Sequence, residues 1–165
     1  VARLADHLLL LDGGRVRAHG PAAQLMARLD LARGHGDGAG VLLEGHVGAI
    51  DTDDHLLHLR FAGGELLCVH GPDAPPRALG QPVRVRVLAR DVSLALSPAQ
   101  DTSILNVLPA TVQALTEDGP AQVLVALDLN GSTLLARITR KSAAALQVRP
   151  GLRVFAQVKG AAVLD

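Results

Sequence analysis

The sequence predicts a mainly β protein with a short α/β segment at its N-terminal end, and three observations support this. Apolar and polar residues alternate with a period of two over most of the chain after residue 40. Glycine-containing turn signals, such as Asn130-Gly131, separate the alternating runs. Four or five such runs fall within about 60 residues, which is typical of a small barrel of the oligonucleotide/oligosaccharide-binding type. We therefore expect small OB-like barrels.

The first 40 residues follow a different pattern. Residues 7–11 form an apolar run, and a turn with two glycines leads to residues 15–18, which indicates a β-hairpin. Residues 22–32 carry apolar side chains at helical spacing after a proline, which suits a helix start. Residues 34–40 contain four glycines and are typical of a linker. We therefore expect one unit over residues 1–33.

The remaining chain predicts two barrels, over residues 41–100 and 101–165. Val83-Arg-Val-Arg-Val87 shows the cleanest alternation, with valines expected inside and arginines outside. A short helical turn is expected at 141–146. The two barrels raise the question of an internal repeat, although no residue-level repeat is convincing. The predicted strands are 41–50, 55–62, 65–70, 83–87, 93–96, 104–115, 122–129, 132–139 and 152–159.

Composition excludes several functions. The 16 basic and 16 acidic residues balance, and the only aromatic side chains are Phe61 and Phe155. A nucleic-acid binder needs a basic stripe, and a single-strand binder also needs stacking surfaces. Cys68 is the only cysteine, which excludes an internal disulfide. We expect no nucleic-acid partner.

The sequence shows no catalytic motif. It contains neither a phosphate-cradling G-x-x-x-x-G-K-[ST] loop nor a G-x-S-x-G elbow. Cys68 and His70 share a strand face, but we expect Cys68 to be an ordinary buried side chain. His55 and His58 should face opposite sides of a strand, so they do not complete a zinc site with that pair. We predict no catalytic residues and no bound metal.

Two lysine-containing segments suit an oxyanion. Lys141 and Ser142 open the predicted helical turn after Thr139, and Lys159-Gly160 ends a predicted strand. Ser103 and Asn106 could add a hydroxyl and an amide, and donors of these kinds hold small anions. The alternative is purely structural: solvated lysines, a capping serine and a strand-end glycine.

Two stretches resemble parts of known families. Residues 1–21, VARLADHLLLLDGGRVRAHGP, resemble the end of an ABC-transporter ATPase domain. The second barrel resembles the molybdenum-binding Mop or TOBE domain in three places: DTSILNVLPA at 101–110, LARITRKSAAAL at 135–146 and VFAQVKG at 154–160. Residues 89–95, ARDVSLA, are similar to the lead-in to that domain in one transporter family. Together they resemble the C-terminal part of the ATP-binding subunit of molybdate ABC importers.

The resemblance implies a site. In Mop-type domains an oxyanion lies between subunits, held by Ser and Arg of an S-x-R-N stretch, by a T-x-x-S pair, and by a Lys at the end of the last strand. The matching residues here are Ser103 and Asn106, then Thr139 and Ser142, then Lys159. Leu105 stands where the Arg is expected, and leucine cannot replace a guanidinium group.

The resemblance also implies a role. The chain would be a regulatory and dimerisation domain that senses molybdate, tungstate or a related oxyanion, with no required cofactor and no enzyme activity of its own. ATP would bind only in an ATPase domain whose Walker A, signature, Walker B and switch His elements this sequence lacks. Its partners would be a second copy and the membrane permease, at the inner face of the cell membrane. The alternative is a free-standing Mop-type molybdate-binding or storage protein.

We further expect residues 1–33 to be disordered, docked on the barrels or paired with another chain, because their leucines would pack on the rest of an ATPase domain.

Overall fold

The computed structural model describes residues 5–32 and 38–164. Within these ranges the chain is mainly β, as predicted, with short helices. The strands are β1 His7–Asp12, β2 Arg15–Pro21, β3 Gly40–Asp51, β4 Leu56–Phe61, β5 Gly64–Val69, β6 Pro82–Leu88, β7 Val92–Ala95, β8 Asn106–Asp118, β9 Gln122–Leu129, β10 Ser132–Thr139, β11 Arg153–Val158 and β12 Ala162–Leu164. The helices are α1 Ala22–Met26, α2 Leu29–Ala32 and α3 Arg140–Ala145, and a 3-10 turn covers Ala89–Asp91.

The N-terminal segment is docked on the barrels. β1 and β2 form the expected antiparallel hairpin. Leu8 and Leu10 on one face of β1 pack against a small apolar cluster made by Ala18, Leu25 and Leu31. Asp6 forms an ion pair with Arg84 of β6. Of the three outcomes expected for residues 1–33, the described residues 5–32 therefore adopt the docked one.

The single helix expected over residues 22–32 is wrong, because the structure has two short helices there. Helix α1 ends at Met26, and the Arg28 carbonyl then accepts hydrogen bonds from the N–H groups of Leu31 and Ala32. The Arg28 guanidinium meanwhile pairs with Asp30 at 2.8 Å. Most of the predicted linker, residues 34–37, lies outside the described residues, and its last residue, Gly40, already begins β3.

The two main sheets exchange strands. Their orders are β12-β6-β3-β4-β5 and β10-β9-β8-β11-β7. Strand β7 follows β6 in sequence but pairs with β11 of the second sheet, and the last strand, β12, returns to pair with β6 of the first. Each side of the predicted boundary between residues 100 and 101 therefore supplies one strand to the sheet of the other side. The division of the chain into domains stays a prediction.

The two main sheets pair their strands in the same register, and this reveals a structural repeat that the sequence did not show. Asn106 of β8 lies opposite Val158, and Val41 of β3 lies opposite Val87. Six residues after each of these positions the ladder shifts, between Val47 and Ala49 in β3 and between Val112 and Ala114 in β8. Each half thus contains the same bulged, bent long strand, which lets a small sheet curl into a barrel.

One hydrophobic cluster fills both barrels. It joins side chains of the first sheet, such as Leu57 and Leu59, to side chains of the second, such as Leu127 and Leu134. Val83, Val85 and Val87 are buried while the arginines between them are not, which confirms the alternation predicted for this strand. The long stretch 123–127 of β9 is buried on both faces, and α2 packs against this strand.

The turn between β4 and β5 packs on the second sheet. A Cβ added to Gly63 would lie 2.8 Å from both the Cβ and the carbonyl oxygen of Leu129, at the end of β9. It would also lie 2.5 Å from the Phe61 ring. Backbone cannot move away as a flexible side chain can, so only glycine fits here without a shift. Gly63 therefore sets how closely the two barrels approach.

We expect Gly63→Ala to lower the free energy of unfolding by about 1–3 kcal/mol, the usual cost of overpacking. Gly71→Ala is the matched control, because a Cβ there meets nothing within 4 Å. That control should change stability by no more than about 0.5 kcal/mol. Urea unfolding of both variants measures the difference, and equal losses would show that the contact at Gly63 is not tight.

Candidate functional site

The T-x-x-S pair lies where β10 runs into α3. Thr139 is the N-cap of this helix, and its Oγ1 accepts a hydrogen bond from the Ser142 N–H at 3.0 Å. The two hydroxyl oxygens are 2.8 Å apart. Threonine is a favoured cap because its oxygen satisfies a helix N–H that has no partner within the helix. The cap fixes both hydroxyls at one point on the surface, and Lys141 is exposed beside them.

Ion pairs brace this end of β10. Arg137 of β10 is almost fully buried, and its Nε lies 2.7 Å from Asp118 Oδ2 at the end of β8. Arg140 of α3 pairs with Glu117 at 3.3 Å. A buried guanidinium needs its carboxylate partner, because an unpaired buried charge is strongly destabilising. Sequence reasoning missed this pair, since its members are far apart in sequence.

Asn106 begins β8 and is buried. Its Oδ1 accepts a hydrogen bond from the Leu67 N–H at 2.7 Å, and its Nδ2 donates to the Leu67 carbonyl at 2.9 Å. Leu67 lies in β5, the edge strand of the first sheet. The side-chain amide thus pairs with this edge as a neighbouring strand would. It clamps the first barrel to the second, and only one N–H of the amide remains for any ligand.

Lys159 and Gly160 follow β11, next to Asn106 in the ladder. Lys159 is exposed, and its backbone N–H donates to the Asp91 carbonyl at 2.8 Å. A Cβ added to Gly160 would lie 3.4 Å from Asp91 Oδ2. Sequence reasoning missed Asp91, which reaches this place only because β7 crosses into the second sheet.

The loop before β8 carries Ser103 and Leu105. Both are exposed, and Leu105 exposes 64% of its surface. The side chain that occupies the place of the expected arginine is therefore apolar and open to solvent. This end of the barrel contributes one ammonium group, that of Lys159, and no guanidinium from position 105.

Within one chain the candidate residues form two groups at opposite ends of β8. Asn106, its first residue, lies opposite Val158, just before Lys159. Asp118, its last residue, lies opposite Gln122, which in turn lies opposite Thr139. One group is Ser103, Asn106, Lys159 and Gly160, and the other is Thr139, Lys141 and Ser142. We call them the strand-start group and the cap group. Their assignment to a ligand stays a prediction.

The cysteine and histidine residues do not form a metal site in the described ranges. Cys68 is 1% exposed, and burial raises the pKa of its thiol to about 11. The expectation of an ordinary buried cysteine is thus confirmed. His58 Nδ1 lies 2.8 Å from Glu65 Oε1, and this hydrogen bond holds the pKa of Glu65 below its usual value. In the same residues no helix is long and apolar enough to cross a bilayer.

The chain is similar to known proteins both in sequence and in fold. Residues 102–164 match the model of the TOBE domain, so the class is a small-barrel protein with a TOBE domain. A cytoplasmic molybdate-binding protein, ModG, has a similar solved structure. Its TM-score is 0.63 at 22% identity, over 74% of this chain and 93% of that one. This likeness shows the fold.

The particular family follows from sequence relatives. The molybdenum import ATP-binding protein ModC of Albidiferax ferrireducens is 56% identical over 99% of this chain and 43% of its own length. ModC 1 of Azotobacter vinelandii is 52% identical over 99% of this chain and 45% of its own length. The chain belongs to the family of molybdenum import ATP-binding proteins and matches their C-terminal part. It spans less than half the length of these curated relatives.

We expect Asn106→Val to release the edge strand β5. The variant removes both hydrogen bonds to Leu67, and losing bonds to a partly buried backbone costs about 1–3 kcal/mol. Amide hydrogen exchange should accelerate most at Leu67 in β5. Ser103→Ala, which removes an exposed hydroxyl nearby, is the control and should leave exchange and stability unchanged. Unaltered protection of Leu67 in the valine variant would contradict the clamp.

Proposed function

We propose that this chain is the regulatory and dimerisation region of the ATP-binding subunit of a molybdate importer, and that it binds molybdate, tungstate or a related oxyanion between two copies. The observation that carries the proposal is the separation of the strand-start group from the cap group. Each group has hydroxyl or ammonium donors and neither encloses an anion. In a two-fold dimer each copy uses the same surface, so residue i of one copy meets residue j of the other and the reverse. Such an axis would place the strand-start group of one copy against the cap group of the other.

The cap group has a hydroxyl proton that can donate a hydrogen bond to an anion. Thr139 and Ser142 have two hydroxyl protons between them, and the hydrogen bond that joins their oxygens uses one. The second proton is free to donate to an oxyanion. Because the helix cap already holds the two hydroxyl oxygens in place, little conformational entropy is lost when either hydroxyl donates to an anion. Hydrogen bonds to a charged acceptor are about twice as strong as those between neutral groups.

The charge balance limits the affinity. A divalent oxyanion loses its hydration when it binds, and this loss must be offset by charge or donors. In a dimer Lys159 supplies one ammonium to each of two sites, while Leu105 supplies none. We therefore expect binding no tighter than micromolar, with strong salt sensitivity because the lysine is exposed.

The whole protein would hydrolyse ATP in a domain outside this sequence and couple to a membrane permease. The relatives are named as ATP-binding import proteins, which supports this placement. The chain itself would perform no chemistry, and it would work at the inner face of the cell membrane. Oxyanion occupancy would report how much molybdate the cell already holds.

The similarity to ModG favours a second candidate, a free-standing molybdate-binding or storage protein. The hairpin and helices of residues 5–32 weigh against it, because they resemble the end of an ATPase domain and a storage protein has no use for one. The coding sequence upstream distinguishes the two: a Walker A loop there establishes the transporter subunit, and its absence favours the storage protein.

We expect Lys159→Ala to weaken molybdate binding at least tenfold, because it removes the only ammonium of the strand-start group. Titration calorimetry with molybdate, and with sulfate as competitor, measures the effect. Arg149→Ala removes an exposed cation outside both groups and is the control for net charge. Equal weakening in both variants would mean that the anion responds to overall charge. Unchanged binding in Lys159→Ala would refute the site.

Mixing two variants tests whether a site is shared between copies. Lys159→Ala damages the strand-start group, and Ser142→Ala damages the cap group. Each homodimer has two damaged sites, whereas a mixed dimer has one intact site and one doubly damaged site. We expect about half the sites of mixed dimers to regain the affinity of the unsubstituted chain, and native mass spectrometry can follow the formation of mixed dimers. No recovery in mixed dimers would place the whole site within one chain.

A further inference from the structure

Asp91 is the acidic residue that the strand exchange brings to the strand-start group. It ends the 3-10 turn between β6 and β7, where the chain leaves the first sheet for the second. Its carbonyl accepts the Lys159 N–H at 2.8 Å, and its carboxylate oxygen lies 3.4 Å from the place a Cβ of Gly160 would occupy. The carboxylate is therefore held beside two residues predicted to bind an oxyanion.

The structural repeat shows which residues of the first barrel correspond to the strand-start group of the second. Val41 and Val87 are paired as Asn106 and Val158 are, so Leu88 of the first barrel corresponds to Lys159 of the second. The first barrel has apolar side chains where the second has an amide and an ammonium. The first half of the chain instead places the carboxylate of Asp91 beside the strand-start group.

We propose that Asp91 sets the affinity of the oxyanion site by opposing the positive charge of Lys159. This rests on the proposed function, because it concerns the same site. The carboxylate of Asp91, next to the strand-start group, balances the charge of the Lys159 ammonium. Because the Asp91 carboxylate lies beside Gly160, its negative charge would repel a divalent oxyanion held by Lys159 and the backbone of Gly160. The carboxylate keeps the site empty until the oxyanion concentration is high.

The energetics support an effect of measurable size. The interaction of a unit charge with a divalent anion several ångströms away is large enough, even at the dielectric constant of water, to change the dissociation constant several-fold. We expect a change of about tenfold, which is about 1.4 kcal/mol. Salt would reduce the effect, since the Debye length at physiological ionic strength is about 8 Å.

The test is calorimetric titration of the full chain with sodium molybdate at low and at physiological salt. Asp91→Asn keeps the shape of the side chain and removes its charge, and we expect the dissociation constant to fall about tenfold at low salt and less at high salt. Asp53→Asn is the matched control. It removes the same charge in the turn after β3, at the end of that strand opposite to Gly40 and Leu88, and should leave binding unchanged.

The outcomes separate this proposal from the one it rests on. Tighter binding in Asp91→Asn alone, or binding that only this variant shows, supports the role of Asp91. An unchanged constant in Asp91→Asn, with weakening in Lys159→Ala, overturns the role of Asp91 and leaves the anion site standing. An equal gain in both aspartate variants overturns it too, since the effect would come from net charge. If no variant binds molybdate, the proposed function fails as well.

Discussion

The exchange of β7 and β12 between the two sheets is the constraint on which the rest of the structure depends. Without β7, one edge of β11 would be unpaired, and without β12 the same would hold for β6. Unpaired edges invite association with other chains. The barrels also share one hydrophobic cluster, so neither can separate without exposing core side chains. We therefore expect the two halves to unfold together, although their sequences show no convincing repeat.

The same exchange decides which groups meet at the surface. It brings Asp91 from the first half to Lys159 in the second, and the Asn106 amide locks the edge strand β5 in place nearby. The T-x-x-S pair lies at the other end of β8, braced by the buried Arg137–Asp118 ion pair. The barrel thus holds the strand-start group and the cap group apart within one chain. Under the proposed function a second copy would combine them.

Much of this fold could be predicted from local pattern. Strands β9 and β10 begin and end where alternation and the Asn130-Gly131 turn predicted. Strand β12 was missed because three residues carry no periodicity, and its partner lies far away in sequence. The role of Asn106 in an oxyanion site stays a prediction. Its amide also holds the β5 backbone, and no sequence spacing reveals a contact between residues 39 positions apart.

Under the proposed function, the charges near the site favour a sensor over a storage protein. A storage protein has to retain its ligand when the free concentration falls, which requires high affinity. Here Leu105 provides no fixed positive charge where the Mop-type pattern has arginine, and Asp91 lies beside the one lysine of the strand-start group. At the proposed site both features would weaken the binding of a divalent oxyanion. A site of moderate affinity changes its occupancy over the concentration range around its dissociation constant, and such a response suits the regulation of an importer better than retention of its cargo.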